Sequence, residues 1–239
     1  MELASSILLF FISCVLLHLV TLTVSQQSFL RYNCLSDKGD ILHNQTATLN
    51  CTVGTTYQEN LNGLLLSGFS NSEPNHGFYN FSAGRNSEKV NVITLCRGDV
   101  KPDVRSSCIR DSVPKLLQVC CNPKELIGYY DDCMLRFSNR SICETMEVSP
   151  RYRMINPENV TSLDQFNQAL RTLLDGLRRK AASGGSLRKF STRNISSSDF
   201  KTLYGLVQCT PELFERQCND CLHTIYGRIR DCCDEKEGA

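Results

Sequence analysis

The chain has 239 residues, with 26 Lys and Arg against 25 Asp and Glu, which gives a formal net charge of +1. This length suits one large domain or two small ones. The near-neutral charge argues against nucleic acid as a partner, because phosphate binding needs clustered positive charge. The 14 cysteines instead favour a disulfide-stabilised protein of an oxidising compartment.

The N-terminus is almost wholly apolar over residues 5–24, and a polar stretch, residues 25–28, follows directly. This pattern predicts a secretory signal peptide over residues 1–25. The alternative is a signal anchor that stays in the membrane, since about 20 apolar residues can span a bilayer. No later run is as long and apolar, so we expect no membrane span in the mature chain.

Six N-x-Ser/Thr sequons follow the apolar segment. They begin at Asn44, Asn50, Asn80, Asn139, Asn159 and Asn194. One such tripeptide arises often by chance, but six indicate a surface that tolerates glycans in the secretory lumen. We therefore predict a glycoprotein.

Thirteen cysteines remain once Cys14 is removed with the signal peptide. Small domains bury little apolar surface relative to their chain entropy, so cross-links are important for their stability. An odd number leaves at least one thiol free or paired between chains. An oligomer linked through a free cysteine is therefore left open.

An internal repeat organises the chain. At an offset of 109 residues, Tyr57, Leu61, Leu64 and Leu65 match Phe166, Leu170, Leu173 and Leu174; Phe81-Ser82 matches Phe190-Ser191; and Cys34 matches Cys143. At an offset of 113, Cys96, Cys108 and Cys120 match Cys209, Cys221 and Cys233. The self-similarity predicts two domains, residues 28–140 and 143–239, with a linker-like segment over 144–161.

The elements of the first repeat follow in chain order. A helix is predicted to open with a capping box formed by Thr56 and Glu59. Strand-like pieces follow over residues 77–81 and 90–95. A second helix is predicted to begin near Pro102, because proline is favoured at the first helical position.

The second repeat repeats this plan. Ser162 and Gln165 form its capping box, residues 202–207 form a strand, and Pro211 starts its second helix. In that helix the residues with helical spacing that should face the core are Cys218, Cys221, Leu222, Ile225 and Ile229. Helices mixed with antiparallel strands predict an α+β class, with two small domains that each carry two helices on one face of a sheet.

A cysteine motif connects the chain to a family. Cys209-x8-Cys218-x2-Cys221, preceded by residues 204–208, resembles the ginkbilobin-like or stress-antifungal domain of plants. The segments 96–100 and 133–141 are similar to its first repeat. That domain occurs in tandem in cysteine-rich repeat secretory proteins, in ectodomains of cysteine-rich receptor-like kinases and in plasmodesmata-located proteins. The resemblance covers nearly all of the mature chain.

The resemblance implies a set of disulfides. The pairs are Cys34–Cys120, Cys108–Cys133, Cys209–Cys218 and Cys143–Cys233. The usual partner of Cys96 falls at position 105, which is Arg105 here, and Cys51 is a substitute partner that stays open. The partner of Cys221 would lie in a final strand that the second domain lacks. The cysteines left unpaired or uncertain are Cys51, Cys96, Cys121, Cys221 and Cys232.

Metal and catalytic chemistry find little support. Zinc needs four tetrahedral ligands, but the mature chain has only His43, His76 and His223, widely separated in sequence. A nucleophilic cysteine needs a nearby base, and His223 lies two residues after Cys221, on a different face of a helix. The cluster over residues 178–180 is interpreted as a solvated helix end. We predict no enzyme activity, no metal and no cofactor.

Carbohydrate binding is a further expectation that the resemblance raises. In a mannose-binding member of the family, the sugar is held by Asn, Arg and Glu side chains. The corresponding positions of the first repeat hold Leu35, Gly128-Tyr129 and Ser138, and Glu144 stands at the first position in the second repeat. The ligand-binding residues therefore stay unknown.

The predicted function is a secreted recognition or interaction module of the apoplast, in plant stress or defence. Its expected partner is an extracellular protein or a cell-wall carbohydrate. An antifungal, lectin-like protein is one alternative. The other is an ectodomain fragment of a cysteine-rich receptor-like kinase, which would place the chain at the plasma membrane.

Overall fold

The computed structural model describes residues 29–35, 41–42, 54–67, 77–120, 123–185, 188–197, 202–233 and 236. The predicted signal peptide lies outside them, as do Asn44, Asn50, Cys51 and Cys121, and the side chain of Cys232 is not described either.

The first repeat is built on one antiparallel sheet. Its elements are β1 (Phe29–Leu35), β2 (Ile41–Leu42), α1 (Thr56–Ser67), β3 (Phe78–Ala83), a short 3-10 helix (Asn86–Glu88), β4 (Val90–Cys96), α2 (Pro102–Val119), β5 (Glu125–Tyr130) and β6 (Cys133–Ser138). The six strands are ordered β2-β1-β5-β6-β4-β3. Every neighbouring pair is antiparallel.

Both helices pack on one face of this sheet. Leu61 of α1 and Leu116 of α2 are fully buried against Leu135 and Phe137 of β6 in a single apolar cluster. Gly128 allows α2 to come close, because a Cβ there would lie 2.4 Å from Leu116 Cδ2. The strands alternate between this inner face and an outer face, as the period of two residues requires.

The second repeat has the same layering around a shorter sheet. It consists of α3 (Leu163–Ala182), β7 (Lys189–Ser196), β8 (Thr202–Cys209) and α4 (Glu215–Cys233). Within the described residues, β7 and β8 form a two-stranded antiparallel sheet. Leu173 and Leu177 of α3 pack over Gly205, where a Cβ would lie 2.5 Å from Leu177 Cδ1. The α+β class with helices on one face is confirmed.

Two predicted helix starts differ from the structure. Thr55, not Thr56, caps α1, since its Oγ1 accepts a hydrogen bond from Gln58 N–H at 3.2 Å. In the second repeat, α4 begins at Glu215, four residues after Pro211. A turn closed by Leu213 N–H on Thr210 O intervenes, at 3.2 Å. No helix in the described parts of the chain has the length and apolarity needed to span a membrane.

Three disulfides join described residues. They are Cys34–Cys120, Cys108–Cys133 and Cys209–Cys218, with Cα atoms 6.2, 6.2 and 5.9 Å apart. These are the same pairs that the family resemblance implies for those six cysteines.

The predicted disulfide between Cys143 and Cys233 is wrong. Cys143 has a free thiol, while Cys233 is bonded in a disulfide. The reason is local structure: Cys34 lies within β1, but its repeat counterpart Cys143 lies in a turn after the first repeat, near Asn80. The substitute bridge from Cys96 to Cys51 is also wrong, because Cys96 is free and fully buried.

Arg105 takes the place of a half-cystine. It lies at the repeat position of Cys218, and Cys96 lies at that of Cys209, so the first repeat lacks the bridge that the second one has. The Arg105 side chain is buried, and its Nη2 donates to Gly98 O at 3.2 Å while its Nε has no hydrogen-bond partner.

We expect Arg105→Cys to add a disulfide to Cys96 and to raise the free energy of unfolding of the first repeat. Closing a loop of about ten residues contributes roughly 2.5 kcal/mol in the chain-entropy account. The change also removes a buried unpaired donor. Urea unfolding of this variant measures the effect. The control is Arg105→Ser, because serine has nearly the side-chain volume of cysteine but no thiol. Equal stability of the two variants would contradict the prediction.

Candidate interaction surface at the junction of the repeats

A polar clasp holds the second sheet against the first repeat. Gln208 Nε2 donates to Cys96 O at 2.9 Å, and Gly98 N–H donates to Gln208 Oε1 at 3.2 Å. Arg188 also donates to Gly98 O, and its guanidinium lies 4.7 Å from the centre of the Phe190 ring. A Cβ on Gly98 would lie 2.5 Å from Phe190 Cγ, so only glycine permits this contact.

A second set of contacts joins the repeats near the start of α4. Asn80 Nδ2 donates to Glu212 Oε2 at 3.2 Å, and Glu144 N–H donates to Glu212 Oε1 at 3.0 Å. Gln217 Nε2 donates to Glu144 O at 3.2 Å, while its Oε1 accepts from Phe214 N–H at 2.9 Å. We call these five residues the junction surface.

Phe214 is the prominent apolar side chain of the junction surface. It is 71% exposed, although the backbone on which it stands is fixed by Gln217. Met146, two residues after Glu144, is 37% exposed. Rigid, exposed aromatic side chains at the centre of a polar rim are the usual anchors of protein interfaces.

The free thiols of the described residues are poor nucleophiles. Burial raises the pKa of Cys143, and the neighbouring charge of Glu212 raises it further. Burial also raises the pKa of Cys221, and it raises that of Cys96 to about 12. Nucleophilic catalysis needs a thiolate, and thus a lowered pKa. No cluster of three or more His, Cys, Asp or Glu able to hold a metal occurs in the described residues.

An ion network on the outer face of the first sheet was not foreseen from the sequence. Glu125 Oε2 accepts from Arg140 Nε at 2.9 Å, and Glu125 Oε1 accepts from Arg136 Nε at 3.2 Å. Glu147, from the segment between the repeats, bonds to Arg140 and lies 2.5 Å from Arg136. Two carboxylates and two guanidinium groups thus hold that segment against the sheet. The signal in the sequence was the charged residues at outward positions of β5 and β6.

The positions of the first repeat at which the family resemblance would place mannose-binding side chains lie in β1, β5 and β6 of the first sheet. Ser138 is fully buried and its Oγ donates to Glu125 Oε2 at 3.2 Å. Tyr129 donates its hydroxyl to Pro150 O at 3.3 Å, and Gly128 lies under α2. Leu35 ends β1, and its side chain is outside the described set. Ser138, Tyr129 and Gly128 are thus engaged in packing and hydrogen bonds within the fold itself.

The basic cluster of α3 is only partly solvated. Arg178 Nη1 donates to Asn219 Oδ1 at 2.8 Å, and its Nη2 donates to Asp175 Oδ1 at 3.0 Å, so this arginine joins α3 to α4. Arg179 and Lys180 are exposed, as expected for a helix end.

The comparisons with known proteins agree with this architecture. A family model described as salt stress response/antifungal matches residues 42–140 and 154–239. Cysteine-rich repeat secretory protein 38 of Arabidopsis thaliana is 33% identical, over 93% of this chain and 83% of its own length. Cysteine-rich receptor-like protein kinase 26 of the same plant is 42% identical over 80% of this chain. This chain matches only 29% of kinase 26 and 28% of kinase 29.

Two solved structures share the fold. The tandem DUF26 ectodomain of the cysteine-rich receptor-like protein PDLP8 from Arabidopsis thaliana gives a TM-score of 0.71 at 20% identity, covering 88% of this chain and 90% of that one. The corresponding PDLP5 ectodomain gives 0.63 at 22% identity, covering 88% and 92%. Two repeats with this topology, these disulfides and matches in both halves place the chain in the salt stress response/antifungal family.

Proposed function

We propose that this chain is a secreted glycoprotein that serves as an extracellular recognition module in plant stress or defence. The predicted signal peptide over residues 1–25 and the six sequons are parts of this proposal. The observation that carries it is Phe214, an exposed aromatic side chain on a rigid polar frame between two cross-linked repeats.

The frame favours recognition of a protein over a small ligand. The contacts of Asn80, Glu144 and Gln217 fix the relative position of the repeats before a partner arrives. Pre-organisation of this kind lowers the entropy lost on binding. Phe214 itself is 71% exposed, whereas small-molecule sites are concave and enclose most of their ligand.

The receptor alternative is supported by a specific observation. Kinase 26 is more similar to this chain than secretory protein 38 is, at 42% against 33% identity. The secretory protein, however, matches over most of its own length, at 83%. A recognition role follows in either case, and the two differ only in whether the module is tethered to the plasma membrane.

We expect Phe214→Ser to weaken binding to a protein partner at least tenfold, because loss of a central aromatic anchor costs about 2 kcal/mol or more. Leu66→Ser is the matched control, since Leu66 is 74% exposed and lies on α1, which packs on the inner face of the first sheet, whereas Asn80 of the junction surface lies on the outer face. The measurement is biolayer interferometry of the secreted chain against a panel of purified plant receptor ectodomains, including a second copy of the chain.

A glycan array and a hyphal growth assay run on the same protein separate the alternatives. Saturable glycan binding or growth inhibition that is unchanged in Phe214→Ser would contradict the recognition proposal and favour the lectin-like, antifungal alternative. Binding to a receptor ectodomain that is lost in Phe214→Ser and kept in Leu66→Ser supports the proposal.

A further inference from the structure

The outer face of the second sheet carries three cross-strand pairs. They are Phe190 with Gln208, Thr192 with Leu206, and Asn194 with Tyr204. The first pair belongs to the clasp with the first repeat. The other two lie farther along the same face, on the side opposite the two helices.

This face is more exposed than its counterpart in the first repeat. Tyr204 is 80% exposed and Leu206 is 40% exposed. The residues at the same repeat positions in β4 are Asn91 and Ile93, which are only 4% and 3% exposed. Tyr204 and Leu206 are neighbours on this face, so together they form an exposed apolar patch that a bound group can cover.

A sequon begins directly beside these side chains. Asn194 is exposed, is followed by Ile195 and Ser196, and is the register partner of Tyr204. Directly opposed residues on one face of an antiparallel pair have Cβ atoms about 4.5–5.5 Å apart. A sugar attached to Asn194 Nδ2 therefore starts at the height of the Tyr204 ring. The C–H face of a pyranose is apolar, so it packs on an aromatic ring as other apolar groups do.

We propose that Asn194 carries an N-linked glycan whose first N-acetylglucosamine units lie on Tyr204 and reach Leu206, so that the sugar covers the outer face of the second sheet. In the transfer, Asn194 Nδ2 forms a bond to C1 of the first sugar. The bond from C1 to the diphosphate of a lipid-linked oligosaccharide breaks, and the amide proton leaves with the departing diphosphate. This inference rests on the proposed export of the chain.

The sequon on the first sheet shows the contrast. Asn80 also lies on an outer face, opposite Ile93, but its Nδ2 already donates to Glu212 of the second repeat at 3.2 Å. A glycan at Asn80 would meet the junction surface. The glycan at Asn194 instead meets an exposed ring and an exposed aliphatic side chain, which it shields from water.

The test uses the full chain secreted from plant cells. Asn194→Gln and Ser196→Ala both remove the sequon, and we expect each to lose one glycan by intact mass and to lower the melting temperature of the second repeat by about 4 °C. Tyr204→Ser should keep the glycan and lower the melting temperature similarly. The variant with both Asn194→Gln and Tyr204→Ser should show no further decrease, because each change removes the same contact. Asn139→Gln, at another exposed sequon, is the control with an unchanged melting temperature.

Three results would overturn the inference. If Asn194 is unoccupied while other sequons carry glycans, it fails alone, and the proposed export stands. If no sequon is occupied in the secretory host, the proposed export fails as well. If the decreases caused by Asn194→Gln and Tyr204→Ser add, the sugar and the ring do not touch.

Discussion

Replacing Cys34 and Cys120 together with alanine is expected to lower the free energy of unfolding of the first repeat by about 4 to 5 kcal/mol in the chain-entropy account. These cysteines are 86 residues apart in sequence, and their bond ties β1 to the end of α2. A cross-link between distant residues removes much of the freedom of the unfolded chain. A domain of this size has only about 5–15 kcal/mol of net stability, so the loss brings it close to unfolding.

The second repeat supplies a matched control. Cys209 and Cys218 are only 9 residues apart, so replacing both with alanine should cost the second repeat roughly 2.5 kcal/mol. Hydrogen exchange with mass spectrometry on peptides from each repeat measures the two losses separately. The loop-length account predicts a larger loss of stability in the Cys34 and Cys120 variant. Equal losses, or a larger loss in the Cys209 and Cys218 variant, would contradict it.

The repeated pattern made much of this fold predictable. The offset of 113 residues aligned Cys96 with Cys209, and those two positions end β4 and β8 in the structure. Local rules worked where the signal was local, as with Pro102, the first residue of α2. They were wrong where a neighbour of the same type stood nearby, since Thr55 caps α1 one residue before the predicted Thr56.

Long-range contacts were outside the reach of the sequence alone. Cys143 matches Cys34 in the repeat, but the partner of a half-cystine depends on which strand receives it, and the chain around Cys143 forms a turn between the repeats. The clasp of Gln208 with Gly98 depends in the same way on how two domains meet. Neither the free thiol of Cys143 nor this clasp leaves a periodic pattern in the sequence, because both depend on how the two sheets pack in three dimensions.

Glu125→Ala is the second change with a large expected effect, because it leaves Arg136 as a partly unpaired buried charge. The side chains of Glu125 and Arg136 are only 7% and 10% exposed. Removing one partner of such a pair costs about 3–5 kcal/mol, mainly through desolvation of the remaining charge. Asp99→Ala is the control: Asp99 bonds to Arg97 at 2.8 Å, but both are well exposed, so the loss should stay below about 1 kcal/mol.

Two further measurements show whether desolvation or lost attraction dominates in this network. Glu125→Leu combined with Arg136→Leu removes both charges, and we expect it to recover most of the stability that Glu125→Ala loses. If the double leucine variant is as unstable as Glu125→Ala, the lost ionic contacts themselves stabilise the fold, and the desolvation argument is wrong.

Burial tends to raise the pKa of Glu147, but hydrogen bonds from Arg140 and the charge of Arg136 hold it below its ordinary value of 4.5. The stabilising contribution of the Glu147 carboxylate is therefore present above pH 4.5 and is lost as the pH falls through its lowered pKa. Urea unfolding from pH 7 to pH 3 should show a smaller loss of stability in acid for Glu147→Gln than for the unchanged chain.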